Sequence, residues 1–265
     1  MEKIIKTSTI TIRPLTTMEE LLEMQKVEEV VWQMSPNPVH QTFTALNNGG
    51  IILGAFDGNR MIGFLYSFAG FDGQNAYLCS HMLGILSAYR SGGLGMRMKR
   101  KQAEMAGELG YSIITWTFDP LESLNAYLNL HKLGAVGAAY HIDHYGTMND
   151  NLNKGLPSDR IQIEWSTVEQ EDTPPVNFAP ERLLTDIDEH NKPLGRTAIF
   201  HDDHDGWFVA IPANFQSIKK ENIELARSWR LVTRKAFQLL FNHEYVAVDL
   251  LHNPSKKISY YYFSK

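Results

Sequence analysis

The stretch Arg90-Ser91-Gly92-Gly93-Leu94-Gly95 decides how this sequence is interpreted. It follows an apolar run over residues 81–86 and opens a helical pattern that continues to Leu109. A strand, a glycine-rich turn and a helix start, in this order, present several backbone N–H groups to one point. Glycine lets ligand oxygens approach the backbone, and the helix N-terminus adds partial positive charge. The stretch therefore predicts a phosphate-binding turn, although its glycines could simply make a tight strand-to-helix connection.

Two common phosphate-binding motifs do not fit this stretch. The Walker pattern needs Lys followed by Ser or Thr after its last glycine, whereas Met96 and Arg97 follow Gly95. The dinucleotide fingerprint needs the spacing G-x-G-x-x-G, whereas the spacing here is R-x-x-G-x-G. We therefore set both nucleotide-binding interpretations aside.

The spacing Arg90-x-x-Gly93-x-Gly95 after a strand resembles the acyl-CoA pyrophosphate loop of the GNAT superfamily of N-acyltransferases. The resemblance covers roughly residues 4–145, a little over half of the chain. It implies that the co-substrate is acetyl-CoA or another acyl-CoA, and that the backbone at Ile85 and Leu86 meets its pantetheine arm. It also implies that the pyrophosphate meets the loop, which comprises Arg90, Ser91, Gly92, Gly93, Leu94 and Gly95.

The order of predicted elements agrees with the same family. Hydrophobic periodicity and turn residues over residues 4–145 give β-α-α-β-β-β-α-β-α and then a further strand. Thr17-x-x-Glu20 is a capping box before the first helix, and Asp57-Gly58 is typical of a hairpin turn. We therefore predict an α/β (α+β) fold, with a GNAT-like mixed central sheet flanked by helices.

Three segments are expected along the chain. Residues 1–150 are predicted to form the acyl-CoA-binding domain, residues 151–180 a linker, and residues 181–265 a smaller α+β half. Within that half, Ala198–His201 and Trp207–Ile211 are predicted strands on either side of a hairpin turn.

The C-terminal half has two interpretations. A strand at Trp207–Ile211, a helix from Ser217 to Asn242 and a strand at Tyr245–Leu251 repeat the order found around the glycine turn. This half could therefore be a degenerate GNAT-like repeat. A generic β-hairpin plus helix fits the pattern equally well.

Composition limits the classes of partner. The 265 residues are 43% apolar with a formal net charge of −5, and no basic cluster is longer than Lys99-Arg100-Lys101. We therefore expect no nucleic-acid partner. The single cysteine, Cys79, suits a reducing compartment, and no apolar run approaches a membrane span. A soluble cytoplasmic protein without a membrane partner is predicted, and a homodimer is left open.

Acyl transfer from a thioester needs a deprotonated amine, a stabilised oxyanion and a proton for the leaving thiolate. The resemblance implies an acid tyrosine in a Tyr-x-Lys-x-Gly-Phe stretch after the fifth strand, but Leu130 occupies that position here. Tyr127 lies three residues earlier on nearly the same helix face and is the candidate acid. A packed helix tyrosine is the alternative, and solvent can also protonate the thiolate. Asn125 is a candidate hydrogen-bond partner of the cofactor.

His81, at the start of the apolar run, is the candidate base because imidazole titrates near neutral pH. The alternative is a half-exposed strand histidine. Glu28 and Glu29 are interpreted as part of a solvated helix face.

No metal is predicted. The cluster His201–Asp205 is interpreted as a polar turn, since adjacent residues in a tight turn rarely converge on one ion. The pair His141-x-x-His144 is likewise interpreted as a loop or strand end.

The predicted function is that of an acyltransferase, and the expected kind is an N-acetyltransferase. The acceptor would be a small-molecule or peptide amine. The alternative is a non-catalytic acyl-CoA-binding or sensor protein, which would keep the loop but needs no base.

Overall fold

The computed structural model describes residues 10–90, 92–148, 150, 153–168, 175–190, 192–202 and 206–265. The chain divides into two units, Met1–Thr115 (unit 1) and Trp116–Lys265 (unit 2). Each unit contains both strands and helices.

Unit 1 contains the predicted glycine turn and most of the strands around it. Its elements are β1 (Thr11–Pro14), α1 (Met18–Trp32), α2 (Val39–Asn47), β2 (Ile52–Asp57), β3 (Arg60–Phe71), β4 (Ala76–Ile85), α3 (Leu94–Glu108) and the start of β5 (Ile113–Phe118). Strands β1 to β4 pair antiparallel in chain order, and β5 runs parallel to β4. β5 runs across the division between the units.

Local sequence explains these elements. The Thr17 side chain accepts from the Glu20 N–H while the Glu20 carboxylate accepts from the Thr17 N–H, so the predicted capping box starts α1. The Asp57-Gly58 turn joins β2 to β3, and Gly58 has the positive φ of 59° that such a turn requires. α3 is followed by Gly110, whose φ of 87° suits the residue after a helix.

The core of unit 1 lies between its sheet and its first two helices. α1 and α2 pack on β3, and α3 packs on β2 and β4. The fully enclosed apolar side chains on the α1 side are Leu15, Leu21, Met24, Val27, Ile52, Phe56, Met61, Phe64 and Tyr66. Burial of this size is the main stabilising contribution that fixes β3 and β4 in position.

Unit 2 is strand-rich. Its elements after β5 are α4 (Ser123–Ala126), β6 (Val136–His141), β7 (Arg160–Ser166), β8 (Leu183–Ile187), β9 (Pro193–Gly195), β10 (Gly206–Pro212), α5 (Phe215–Glu221), α6 (Ile223–Asn242), β11 (Val246–Asn253) and β12 (Ile258–Ser264). Its strand order is β7-β6-β11-β12-β10-β8-β9. Phe237 of α6 packs on Tyr261 and Phe263 of β12, which places the apolar face of that helix on the sheet.

Some predicted boundaries in unit 2 are wrong. The helix predicted from Ser217 to Asn242 is two helices, because Asn222 is extended and its side chain accepts from the Leu225 N–H to start α6. Residues Thr197–Ile199 form a 3₁₀ turn and no strand, and β10 pairs with β12 and β8. Residues 203–205 of the predicted hairpin turn lie outside the described residues.

The predicted mixed α/β class is confirmed, and so is the predicted order of elements from β1 to β6. The predicted division into residues 1–150, 151–180 and 181–265 stays a prediction; β7 lies within the stretch expected as a linker. None of the helices formed by the described residues has the length and apolarity needed to cross a membrane.

Candidate functional site

The glycine turn joins β4 to α3 through a short 3₁₀ turn, Ser87–Tyr89. The Tyr89 hydroxyl donates to the Asp57 carboxylate at 2.8 Å, which ties this turn to the β2–β3 hairpin. The Arg90 Nε donates to the Ile85 carbonyl at 2.9 Å, so the exposed guanidinium lies over the end of β4. Leu86 donates its N–H to Ile62, which fixes the end of β4. Ser91 lies outside the described residues.

The start of α3 is open. Gly93 is its N-cap residue, with φ 69° and ψ 11°, and none of the described side chains caps the helix. A Cβ built on Gly92 or Gly93 would meet no atom within 4 Å. The N–H groups of the first turn, which begins with Leu94 and Gly95, have no intrahelical partner, and the space beside Gly92 and Gly93 is open. This geometry fits a phosphate group, which needs close backbone approach and positive potential.

β4 is irregular at His81. Tyr66 of β3 lies opposite Met82, and Ser67 lies opposite Ser80, so His81 is an extra residue without a partner on β3. Such a β-bulge bends its strand and redirects the side chain at that position.

The second half of β4 has an unpaired edge. Within the described residues, β4 pairs with β5 only through Leu78 and Cys79. On that edge the Ile85 carbonyl accepts from Arg90, and the backbone groups of residues 80–84 have no strand partner among the described residues, so they could pair with an extended ligand that has amide groups. A pantetheine arm has this chemistry, and Ile85 and Leu86, predicted to meet it, lie at the end of this stretch.

His81 lies beside two aromatic rings. Its ring centroid is 5.9 Å from that of Tyr66 and 5.7 Å from that of Phe68. Desolvation lowers the pKa of His81, which favours the neutral imidazole that a base needs, although the residue is exposed by accessible surface. Its role as a base remains a prediction.

A buried lysine lies beneath the bulge and was not found from the sequence. Lys99 of α3 is 4% exposed, and its Nζ donates to the Ser80 Oγ at 2.8 Å. The Gln102 Nε2 donates to the same oxygen at 3.0 Å. Burial lowers the pKa of Lys99 to about 7. The sequence shows only a basic triplet on a helix, and nothing local indicates that its first member faces inward.

The interpretation of Glu28 as part of a solvated helix face is wrong. The residue is 2% exposed, because the segment after α1 folds back over it. The Asn37 N–H and Nδ2 both donate to its Oε1, at 3.0 and 2.7 Å. Its Oε2 is buried and has no hydrogen-bond partner among the described residues. Glu29, the next residue, is exposed as expected.

The remaining predicted residues belong to unit 2. Tyr127 begins a π-helical segment, Tyr127–Lys132, that continues α4. Its ring centroid is 4.5 Å from that of His131 and 4.4 Å from that of His252. Leu130, in the position of the family tyrosine, is aliphatic and 2% exposed, so it has no proton to donate. Asn125 is exposed.

The two histidine clusters have ordinary surroundings where they are described. The rings of His141 and His144 are 4.9 Å apart, and the His141 Nε2 lies 3.0 Å from the Gln162 Oε1. Across the described ranges, no group of three or more His, Cys, Asp or Glu side chains is arranged to hold a metal ion. Most of the cluster at 201–205 lies outside those ranges.

No protein-family model matches the sequence, and a comparison with curated proteins gives no significant match. Solved structures with a similar fold include Arabidopsis thaliana NAA60 in complex with a bisubstrate analogue, at 13% identity and TM-score 0.48, over 60% of this chain and 98% of that one. Arabidopsis thaliana Naa50 with a bisubstrate analogue is 14% identical at TM-score 0.48, over 60% and 99%. A GNAT family acetyltransferase from Elizabethkingia anophelis with acetyl-CoA bound is 16% identical at TM-score 0.45, over 59% and 97%. At these identities the likeness concerns the fold alone.

Proposed function

We propose that this protein transfers an acyl group from acetyl-CoA or another acyl-CoA to an amine. The observation that carries the proposal is the open start of α3, where Gly92 and Gly93 leave room for a phosphate group. The N–H groups of the first turn would bind the pyrophosphate, and Arg90 would add a full positive charge beside it. The free edge of β4 would hold the pantetheine arm, which ends in the thioester.

The chemistry then needs few groups from the protein. The amine nitrogen attacks the thioester carbonyl, the C–S bond breaks, and the thiolate takes a proton. His81, which forms the bulge of β4 and has a pKa lowered by desolvation, would accept the proton of the amine. Tyr127 remains the candidate proton donor and Asn125 a candidate cofactor ligand. An ordinary thiol pKa near 8.5 makes protonation by solvent an adequate substitute.

A non-catalytic acyl-CoA-binding protein is the second candidate. The observation that favours it is the buried, aliphatic Leu130 at the position of the family's acid tyrosine. Both candidates require CoA binding, but only the transferase releases free thiol from acetyl-CoA in proportion to added amine.

The matched pair Gly93→Val and Gly110→Val tests the binding site. Both glycines have positive φ, and a Cβ on either meets no atom within 4 Å, but they lie at opposite ends of α3. Each variant should lose about 1–2 kcal/mol of folding stability from the left-handed backbone. Calorimetry with CoA should give micromolar affinity for the parent and for Gly110→Val, and at least about tenfold weaker binding for Gly93→Val. Equal CoA affinity in the two variants would show that the turn does not bind the pyrophosphate.

Amine-dependent thiol release then separates the two candidates. Acetyl-CoA is incubated with amino acids, polyamines and aminoglycosides in turn, and free thiol is followed by colorimetry. Release that rises with one amine supports the transferase. CoA binding without any such release supports the binding protein.

A further inference from the structure

We propose that the Glu28 carboxylate binds the ammonium group of the acceptor, beside an aromatic cluster formed by Tyr66, Phe68 and His81. The acceptor is then a primary amine that arrives as a cation. This inference rests on the proposed function and names the site of its second substrate.

The first support is the unsatisfied carboxylate oxygen. Glu28 is 2% exposed, its Oε1 accepts two N–H groups of Asn37, and its Oε2 accepts none from the described residues. A buried carboxylate is costly unless it is paired and hydrogen-bonded. No lysine or arginine of the described residues pairs with Glu28. An ammonium group would supply both the missing charge and up to three N–H donors.

The second support is the aromatic cluster, which is independent of the first. The ring centroids of Tyr66, Phe68 and His81 lie 5.7 to 6.0 Å from one another. Tyr66 is close enough to Glu28 for the carboxylate charge to act on its hydroxyl. Burial raises the pKa of Tyr66 most, and the charges of Cys79 and then Glu28 raise it further. Ring faces attract ammonium groups. A carboxylate and several rings in one place favour a cation over a neutral or anionic ligand.

The third support is the link to the free edge of β4. The Asn37 Nδ2 lies 3.1 Å from the Sδ of Met82, the residue that follows the bulge at His81. The carboxylate, Asn37 and Met82 therefore form one contact chain from α1 to the strand proposed to hold the thioester arm. Asn37 lies on the segment between α1 and α2, which has no regular secondary structure.

The substitution Glu28→Gln tests this site, and Glu29→Gln is its matched control. Both remove one carboxylate from α1, but Glu29 is exposed. Thiol release from acetyl-CoA is measured with spermidine, lysine and kanamycin as amine probes. We expect Glu28→Gln to raise the KM of the amine by about 30- to 100-fold, because the substitution removes a charge-assisted hydrogen bond. The KM of acetyl-CoA should stay within about twofold of the parent value. Glu29→Gln should change neither constant.

Thermal unfolding distinguishes this role from a structural one. Burial raises the pKa of Glu28, and this effect is larger than that of the Asn37 hydrogen bonds, which lower the pKa. Ionising Glu28 therefore costs stability once the pH rises above the ordinary carboxyl value of about 4.3. Glu28→Gln removes that cost, so at pH 8 it should unfold at a temperature no lower than the parent does. A structural carboxylate would instead leave the variant less stable and the amine KM unchanged.

Two results would separate the failure of this inference from that of the proposed function. An amine KM in Glu28→Gln equal to that in Glu29→Gln, with an active parent, overturns the ammonium site alone. No amine-dependent thiol release by the parent overturns the transferase. In that case spermidine binding by calorimetry decides the site: weaker binding to Glu28→Gln than to Glu29→Gln supports it, and equal or absent binding overturns it.

Discussion

Two helices of unit 1 begin in opposite ways. α1 starts with a capping box, in which Thr17 and Glu20 satisfy each other's backbone N–H groups, and Glu19 and Glu20 place negative charge at its positive end. Arg13 forms an ion pair with Glu20. α3 starts with Gly93, has no side-chain cap, and carries no acidic residue in its first turn.

The difference shows at which helix N-terminus the protein itself satisfies the backbone N–H groups. The N-terminus of any helix leaves four N–H groups without intrahelical partners. At α1 the chain itself supplies acceptors and countercharge. At α3 the described residues supply neither; Arg90 precedes the helix in the sequence, and Arg97 follows Gly93 by four residues. An anionic ligand is the natural complement of the second arrangement.

The largest loss of CoA affinity should come from placing a side chain at the open start of α3. Gly92 does not have a positive φ, and a Cβ there meets open space, so Gly92→Val should leave the thermal unfolding temperature within about 1 °C of the parent value. The added side chain would occupy the phosphate path and remove about two charge-assisted hydrogen bonds. We expect the Kd of CoA to rise roughly 100-fold by calorimetry. A Kd within twofold of the parent would mean that no phosphate approaches Gly92.

Features that depend on adjacent residues could be predicted from the sequence. The capping box, the Asp57-Gly58 turn and the glycine turn before α3 each involve a few neighbouring residues, and the structure has all three helix or hairpin boundaries. The break at Asn222 is also local. Its signal, an Asn three residues before a Leu whose N–H it caps, was present but was hidden by the apolar periodicity around it.

Features that depend on distant residues could not be predicted. The bulge at His81 is defined by the register of β4 against β3, which no spacing within β4 contains. The burial of Glu28 follows from the return of Asn37 over α1, and that of Lys99 from the contact with Ser80 one element earlier. These polar groups look solvated in sequence because burial is a property of the packed core.

A smaller loss of CoA affinity should come from adding only a negative charge at the start of α3. Gly93→Asp and Gly93→Asn have nearly the same shape, and both residues tolerate the left-handed backbone. The carboxylate would repel the phosphates, so CoA should bind about tenfold more weakly to Gly93→Asp than to Gly93→Asn at low salt. The difference should shrink at about 0.5 M salt, where the Debye length falls to about 4 Å. Equal affinities at low salt would indicate that no anion lies at the start of α3.

The smallest effect on CoA affinity should come from removing the N-terminal cap of α1. Thr17→Ala removes the hydroxyl that accepts from the Glu20 N–H at 3.3 Å, and loss of such a cap costs about 1 kcal/mol of folding stability. Denaturant unfolding should show a lower midpoint with an unchanged slope. The Kd of CoA should remain within about twofold, because an N-terminus that the chain itself completes has no part in binding. A weaker CoA affinity in Thr17→Ala, at an unchanged affinity in Gly92→Val, would reverse the assignment of the two helix starts and place the anion at α1.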